Sequence, residues 1–320
     1  MTAQTVSPPP PGNSPAGPSL SPSRAADFKT CPLLFRFRTI DKLPEQPSAD
    51  QARGTLVHAV LERLFDLPAA ERTPAAAEAL VEPAWQALLE TEPRLTDIFA
   101  APVRPALIDQ AALIAEADAT GPAAPSDDEA SRLAAFLAGA AALLQGYFAV
   151  EDPQRLEPAE REALVSTLVD DELLIRGYID RLDVSPAGDL RVVDYKTGGA
   201  PREAFEGRAL FQLKFYALVL WRTRGVVPRV LRLLYLKDAE VCDYSPDAEE
   251  LERFERTLVA LSQAIELAKQ NQDFRPKPSR LCGWCNHQAR CPEFGGTPPP
   301  FPTTEVIRVD ITPADDDRLG

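Results

Sequence analysis

The chain has 320 residues, 45% of them hydrophobic and 26% charged, which is the composition of a globular protein and not of a disordered or collagen-like one. No apolar stretch is expected to reach the roughly 20 residues that cross a bilayer, since the strongest candidate, 210–221, is interrupted by Gln212 and Lys214. Residues 1–23 lack a basic start followed by an apolar segment, so the five cysteines are expected to be thiols or metal ligands and not disulfides. The composition therefore predicts a cytoplasmic protein with no membrane partner.

The net charge of −14 is distributed unevenly along the chain. Residues 61–162 hold 19 acidic and 7 basic side chains, whereas residues 200–240 hold 8 basic and 4 acidic ones, a local charge of +4. A polyanion responds to the charges within a Debye length of about 8 to 10 Å. The acidity of the whole chain therefore does not exclude DNA as a partner.

The first half of the chain is predicted to be helical. Residues 1–20 are rich in proline and serine and are expected to form a disordered tail. Ser21 and Pro22 can cap and open a first helix. From Asp50 apolar residues recur at helical spacing, which predicts an amphipathic helix with His58 near its middle.

An acidic, alanine-rich insert spans about 68–158, with further helices expected near Thr73, Pro105 and Ser126. After the insert the apolar pattern changes to three β-rich runs, which predict an antiparallel meander over 163–169, 173–184 and 190–195. A helix over 202–224, a strand over 229–236 and a long helix opened by Ser245 and Pro246 follow. The proline-rich, acidic end, 296–320, is expected to be a second tail. The sequence thus predicts a mixed α/β (α+β) body over 21–295.

Two acids and a lysine are predicted to converge on the meander. Side chains alternate across a strand, so Asp194 and Lys196 project from one face. Asp180 lies on the preceding strand, and a hairpin with a five-residue turn brings it close to them. Mg²⁺ and Mn²⁺ bind one or two carboxylates and keep positions for water and phosphate. The pattern therefore favours a Mg²⁺ or Mn²⁺ site with Lys196 beside the attacking water.

These residues resemble a known family. Asp180 followed after thirteen residues by Asp194, Tyr195 and Lys196 is similar to the signature of the PD-(D/E)xK nucleases. Ile179 replaces the proline of that signature, so this motif by itself is weaker evidence for the family. The resemblance implies a restriction-endonuclease-like mixed β-sheet flanked by helices.

Two further motifs resemble the RecB-type exonuclease branch of that family. Gly54 precedes His58 by four positions and Glu62 follows, as in the first motif of the branch. Gln212 and Tyr216, at i and i+4 on one helix face, are similar to its glutamine and tyrosine motif. All four elements occur in the order that the family has.

The resemblance implies a role for each matching residue. The implied metal ligands are His58, Asp180, Asp194 and the carbonyl group of Tyr195. Lys196 is implied to be catalytic together with the two aspartates, and Gln212 with Tyr216 to contact DNA or orient the lysine. Separately, the local positive charge suggests that DNA phosphates contact basic residues of the next helix, namely Arg202, Arg208, Lys214, Arg222 and Arg224.

A structural role without chemistry stays open at each position. An Asp-x-Lys pair on a strand is commonly a solvated ion pair, because such short motifs occur often by chance. His58 is flanked by Val57 and Leu61 and could be a hydrogen-bonded core histidine. Glu62 could join the site or lie on the surface.

Cys282, Cys285 and Cys291 have ligand-like spacing, and Cys31 could supply a fourth thiolate to either zinc or an iron–sulfur cluster. The RecB-type relatives, including AddB subunits and the exonucleases of CRISPR adaptation, have this pattern and hold [4Fe-4S]. The resemblance therefore favours a cluster that joins the first helix to segment 276–295, with structural Zn²⁺ as the alternative. Two other residues are expected to be outside this site: Cys242 packed on a strand and His287 on a loop surface.

Two functional hypotheses follow. The first is a metal-dependent DNA nuclease, an exonuclease on single-stranded or frayed ends, that works in DNA repair or recombination. The alternative is a non-catalytic DNA-binding or scaffold subunit of a helicase–nuclease complex, whose partner would be a helicase or another repair protein. Asp180, Asp194 and Lys196 are all present, which favours the enzyme.

Overall fold

The computed structural model describes residues 17–99, 127–200 and 206–302. Within these ranges the α-helices are α1 (Pro22–Thr30), α2 (Pro32–Phe35), α3 (Ala49–Leu64), α4 (Pro74–Ala79), α5 (Val81–Thr91), α6 (Asp127–Val150), α7 (Glu206–Arg224) and α8 (Ala248–Asn271). The strands are β1 (Ser19–Leu20), β2 (Glu160–Val169), β3 (Leu173–Val184), β4 (Leu190–Lys196), β5 (Val230–Tyr235) and β6 (Glu240–Tyr244). The helix expected near Pro105 and the start of the one expected at Arg202 lie outside the described residues.

The strands form one mixed sheet. β2, β3 and β4 are antiparallel neighbours, as the predicted meander requires. β5 is parallel to β4, because α7 crosses over one face of the sheet between them, and β6 is antiparallel to β5. The two-residue β1 adds to β3 in parallel. The predicted mixed α/β fold, with helices flanking the sheet, is confirmed.

The centre of the sheet is buried on both faces, which places the end of β4 inside the protein. Val192 packs in a core with α1, α7 and α8, whereas its neighbour Val193 packs in a second core with α3, α5 and α6. A strand covered on both sides favours apolar side chains on both of its faces, as Val192 and Val193 provide in the middle of β4. Asp194 and Lys196 interrupt that run at the carboxyl end of the strand.

Helix α6 corrects the expectation about apolar stretches. Residues 128–150 are long and apolar enough to cross a membrane, by length and composition only. Phe136, Ala140, Leu144 and Tyr147 of this helix are buried in the core that it shares with α3 and α5. One face of α6 therefore forms the centre of the predicted helical insert.

Both predicted tails include residues that the structure shows packed on the body. Ser19 and Leu20 pair with β3. Near the other end, the ring of Phe301 stacks on Phe274 with centroids 6.0 Å apart, and the guanidinium of Arg36 lies 5.3 Å from the Phe301 ring centroid. The chain thus packs against the body up to this phenylalanine, while the domain boundaries themselves stay a prediction.

Candidate metal centre

The site lies where β3 and β4 separate. The last pair of the ladder between β3 and β4 is Arg181 with Val193. The same register extended by one residue would place Asp180 opposite Asp194. At that point the backbone N–H of Tyr195 donates a hydrogen bond to Asp180 Oδ2 at 2.7 Å. The carboxylate of Asp180 therefore takes the place of a ladder partner and is held between the strands.

A third acid, Glu162, joins the site and was missed by the sequence analysis. Its neighbours Arg161 and Ala163 pair with β3, so Glu162 stands opposite Asp180. Its φ is +43°, a conformation that costs a non-glycine residue about 1 to 3 kcal/mol and is concentrated at functional sites. Glu162, Asp180 and Asp194 therefore form a row across three adjacent strands. Only the strand register reveals this row, because 17 residues separate Glu162 from Asp180.

Helix α3 brings His58 to the row of acids. His58 Nδ1 is 3.7 Å from Glu162 Oε1 and 3.6 Å from Asp180 Oδ2, while Nε2 is 2.9 Å from the carbonyl oxygen of Tyr195. One possible ligand atom from each of His58, Glu162 and Asp180 lies within 4.8 Å of the others. When the ring is neutral and Nε2–H donates to the carbonyl, Nδ1 directs its lone pair toward the acids, which is the arrangement that orients metal-binding histidines.

Lys196 lies on the other side of Asp194. Its ammonium is 2.8 Å from Asp194 Oδ2 and donates to Gln212 Oε1 at 2.9 Å. Gln212 in turn donates from Nε2 to the hydroxyl of Tyr216 at 3.0 Å. The two α7 residues thus hold the lysine in place, and Tyr216 is too buried to offer a surface to DNA.

The acids carry more negative charge than the neighbouring side chains balance. Burial raises the pKa of Asp194 to about 6 although Lys196 opposes this, and burial also raises the pKa of Asp180. Burial alone would lower the pKa of His58, but the charges of Asp180 and Glu162 raise it to about 9. Asp194 is 1% exposed, and its Oδ2 accepts no hydrogen bond of good geometry despite its closeness to Lys196. A divalent cation fits these residues, because it would neutralise the acids and because His58, Glu162 and Asp180 each offer one possible ligand atom close to the others.

Metal affinity is expected to depend on pH through His58. A coordinating imidazole must be neutral, yet with a pKa of about 9 this ring carries a proton at neutral pH. Mn²⁺ binding therefore displaces one proton, and its affinity should rise by about tenfold per unit between about pH 7 and pH 8.5. Isothermal titration calorimetry over this range measures the slope. His58→Asn should flatten it, and a flat slope in the wild-type protein would contradict ligation by His58.

Three of the five basic residues proposed from sequence have side chains that lie away from the site. They are paired with acids elsewhere on the described surface: Lys214 with Glu250 at 2.7 Å, Arg222 with Glu255 and Arg224 with Glu160. Lys214 lies two residues after Gln212 on α7, which turns it toward α8 and away from Lys196. Its proposed DNA contact is therefore not supported by its position. Arg208 lies on α7, and Arg202 is outside the described residues. Glu62 is exposed and does not join the centre.

The cysteine segment meets the end of α1. The backbone N–H of Lys277 is 3.4 Å from Cys31 Sγ, and that of Ser279 is 3.3 Å from Cys282 Sγ. Burial raises the pKa of Cys285, which a hydrogen bond from the backbone of His287 opposes. Backbone N–H groups directed at sulfur are compatible with thiolates that ligate a metal ion or cluster.

Two predictions near the cysteines have different outcomes. His287 was expected on a loop surface, but it is 3% exposed and its Nε2 is 2.7 Å from Glu45 Oε1. The Arg38 guanidinium also binds Glu45, and the pKa of that acid falls to about 2 because these two partners outweigh its burial. Cys242 lies on β6 and packs against the α7 core, as expected.

The metal centre and the cysteines all lie within the residues that one protein-family model matches. The family model for the PD-(D/E)XK nuclease superfamily matches residues 19–292, which include the whole metal centre and all four ligand-like cysteines. Gene 69 protein of Mycobacterium phage L5 is 32% identical over 127 residues, which cover 39% of this chain and 41% of that protein. The match thus spans about two fifths of the phage protein's length.

Two solved structures are similar over parts of the chain. The structure of SSO0001 has a TM-score of 0.30 and 21% identity, and the match covers 42% of this chain and 60% of that one. A protein named "Putative exonuclease" from Eubacterium rectale has a TM-score of 0.46 and 10% identity, and the match covers 83% of this chain and 86% of that one.

Proposed function

This chain belongs to the PD-(D/E)XK nuclease superfamily, and from that membership we propose that it is a metal-dependent deoxyribonuclease acting on single-stranded or frayed DNA ends. One observation carries the proposal: Glu162, Asp180, Asp194, His58 and Lys196 form a single polar group at the end of a buried strand. A buried group with this much acid destabilises a fold unless a cation compensates it. We propose that it acts in the cytoplasm, in DNA repair or recombination, and that its protein partner is a helicase or another repair protein.

His58, Glu162, Asp180 and Asp194 are the residues that would hold the cation. Their oxygen-rich set suits Mg²⁺ or Mn²⁺, and the single imidazole is compatible with Mn²⁺. When bound, such an ion polarises the scissile phosphate and lowers the pKa of an attacking water. The carbonyl of Tyr195 already accepts a hydrogen bond from His58, so we assign it the role of orienting that ring. One of its two lone pairs stays available as a further ligand.

Lys196 is the group placed to act on the substrate. Its ammonium is anchored by Asp194 and Gln212, which fixes a positive charge beside the acids. A fixed cation at this position orients the attacking water and neutralises the charge that develops on the phosphate oxygens. Because Gln212 is itself held by Tyr216, the lysine needs little reorganisation during the reaction.

Incubation of the purified protein with 5′-labelled single-stranded DNA tests this proposal. We expect cleavage with Mn²⁺ or Mg²⁺, none in EDTA, and a product ladder that shortens from one end. The same reaction on blunt duplex DNA shows whether a free strand is required. DNA binding without cleavage in either metal would refute the enzyme and would support the non-catalytic subunit of a helicase–nuclease complex.

We also propose that Cys31, Cys282, Cys285 and Cys291 hold a [4Fe-4S] cluster, with structural zinc as the alternative. The support is that Cys31 and the C-terminal segment are in contact although about 250 residues separate them, and that backbone N–H groups point at three of the sulfurs. Ligation there would close a very long loop and stabilise the fold. Iron, sulfide and zinc analysis after anaerobic purification decides between the two, since stoichiometric zinc without iron would reject the cluster.

A further inference from the structure

The β2–β3 hairpin extends well beyond the metal centre. Past the pair formed by Glu162 and Asp180, the register continues through three cross-strand pairs whose side chains share one face of the hairpin: Leu164 with Tyr178, Ser166 with Arg176 and Leu168 with Leu174. We call these six residues the hairpin face. Pairs two positions apart along a strand are about 7 Å apart. The hairpin face therefore begins about 7 Å from the acids and leads directly away from them.

The two sides of this hairpin have opposite surroundings. Ile175, Gly177 and Ile179 of β3 are buried against α1 and α7, and an added Cβ at Gly177 would be 2.8 Å from the ring of Tyr216. On the hairpin face, Leu164 is 56% exposed and Leu168 is 49% exposed. Within the described residues no helix covers this side, since α3 reaches only as far as the metal centre.

The composition of the hairpin face fits a single nucleic-acid strand. Tyr178 is a half-buried aromatic ring beside an exposed leucine, and Arg176 adds a positive charge one pair further on. Arg176 has no ion-pair partner among the described residues. Sheet faces that bind single strands combine a ring on which a base stacks with a cation that contacts the backbone.

Acidic residues limit the length of this surface. The hairpin turns through Asp170 and Asp171, both at positive φ, and Glu172 follows. Three acids at the tip repel phosphate, so a strand that follows the hairpin face must leave it before the turn. The surface between the metal centre and the tip therefore suits a few nucleotides and not a long duplex.

We propose that the hairpin face binds the single-stranded segment of the DNA substrate next to the scissile phosphate, with a base stacked on Tyr178 and a phosphate on Arg176. This inference rests on the proposed nuclease function and adds to it the surface that selects an unpaired strand. Duplex DNA hides the faces of its bases, whereas this flat, partly apolar surface recognises exposed ones.

Steady-state kinetics on a short oligothymidylate test the proposal. We expect Tyr178→Ala to raise KM about tenfold with little change in kcat, because stacking binds the strand and not the reacting phosphate. Tyr178→Phe should restore the wild-type KM. Arg176→Gln should reduce the slope of log affinity against log salt by about 0.7, the value for one phosphate contact on a single strand. Leu267→Ala, a leucine on α8 that is 58% exposed, is the matched control and should change nothing.

A small substrate separates this inference from the nuclease proposal. Bis(p-nitrophenyl) phosphate is too short to reach Tyr178, so its hydrolysis should be the same in all four variants. If the wild-type protein cleaves both substrates and Tyr178→Ala and Arg176→Gln leave the oligonucleotide KM unchanged, the hairpin face is not the strand-binding surface. If it cleaves neither, the nuclease proposal fails, and fluorescence anisotropy with the same labelled oligonucleotide and variants tests the face directly.

Discussion

Replacing Lys196 by alanine is expected to lower kcat for DNA hydrolysis by about 10²- to 10³-fold, the typical loss when one preorganised electrostatic group is removed from a transition state. Its ammonium is the positive charge that Asp194 and Gln212 hold beside the acids. The loss should appear in kcat and in kcat/KM to a similar degree, because the group acts on charge that develops during the reaction.

Metal affinity distinguishes this role from a structural one. Without the ammonium, Asp194 loses its nearest positive partner and the acids repel one another more strongly. Mn²⁺ should therefore bind Lys196→Ala at least as tightly as it binds the wild-type protein, while catalysis falls. The control is Lys214→Ala, which removes a lysine of similar exposure that pairs with Glu250 and should keep full activity. A kcat that excess Mn²⁺ restores, or that the substitution leaves unchanged, would contradict the catalytic role.

Replacing Gly146 by alanine is expected to destabilise the protein by about 3 kcal/mol or more, in the upper range for overpacked positions. A Cβ at this position of α6 would lie 1.8 Å from the carbonyl oxygen of Leu236, just past β5. Both sides of the clash are backbone, so neither can rotate away. The helix would have to move off the sheet, which would also disturb the buried side chains of Leu144 and Tyr147.

Thermal unfolding followed by circular dichroism measures this effect. For a protein of this size, the expected destabilisation corresponds to a fall in Tm of about 5 °C. Gly207→Ala on α7 is the matched control, since it makes the same change in a helix with open space around the added methyl group. It should be neutral or slightly stabilising because alanine favours helix. Equal Tm values for the two variants would show that α6 does not pack on the sheet as closely as described.

The strand-borne residues were predictable because the relevant geometry is local. Alternation along a strand is enough to place Asp194 and Lys196 on one face, and a short turn is enough to return Asp180 toward them. The spacing of Gln212 and Tyr216 likewise follows from the helical repeat. The structure links Asp194, Lys196, Gln212 and Tyr216 by direct contacts and holds Asp180 on the backbone N–H of Tyr195, and the roles of these residues stay predictions that the kinetic variants test.

Other features depended on contacts that no local pattern contains. Glu162 enters the site through the register of β2 on β3 and through a positive φ that its sequence does not signal. Lys214 pairs with Glu250 because α8 packs on that side of α7, and His287 is buried because Glu45 reaches it from a segment more than 200 residues earlier. Each of these contacts joins two segments that are separated in the sequence, so neither segment alone predicts it.

The sequence by itself thus determined the mixed α/β class of fold and the acids and lysine at the end of a central strand. These features follow from backbone periodicity and from motif spacing, which are properties of short segments. The family resemblance added one early and three late cysteines as a candidate staple, which stays a prediction. The tertiary structure decided which acids surround His58, which cations are left to meet a phosphate, and which face of the long hairpin stays uncovered. Those depend on how strands and helices pack together, and packing is determined by the whole chain.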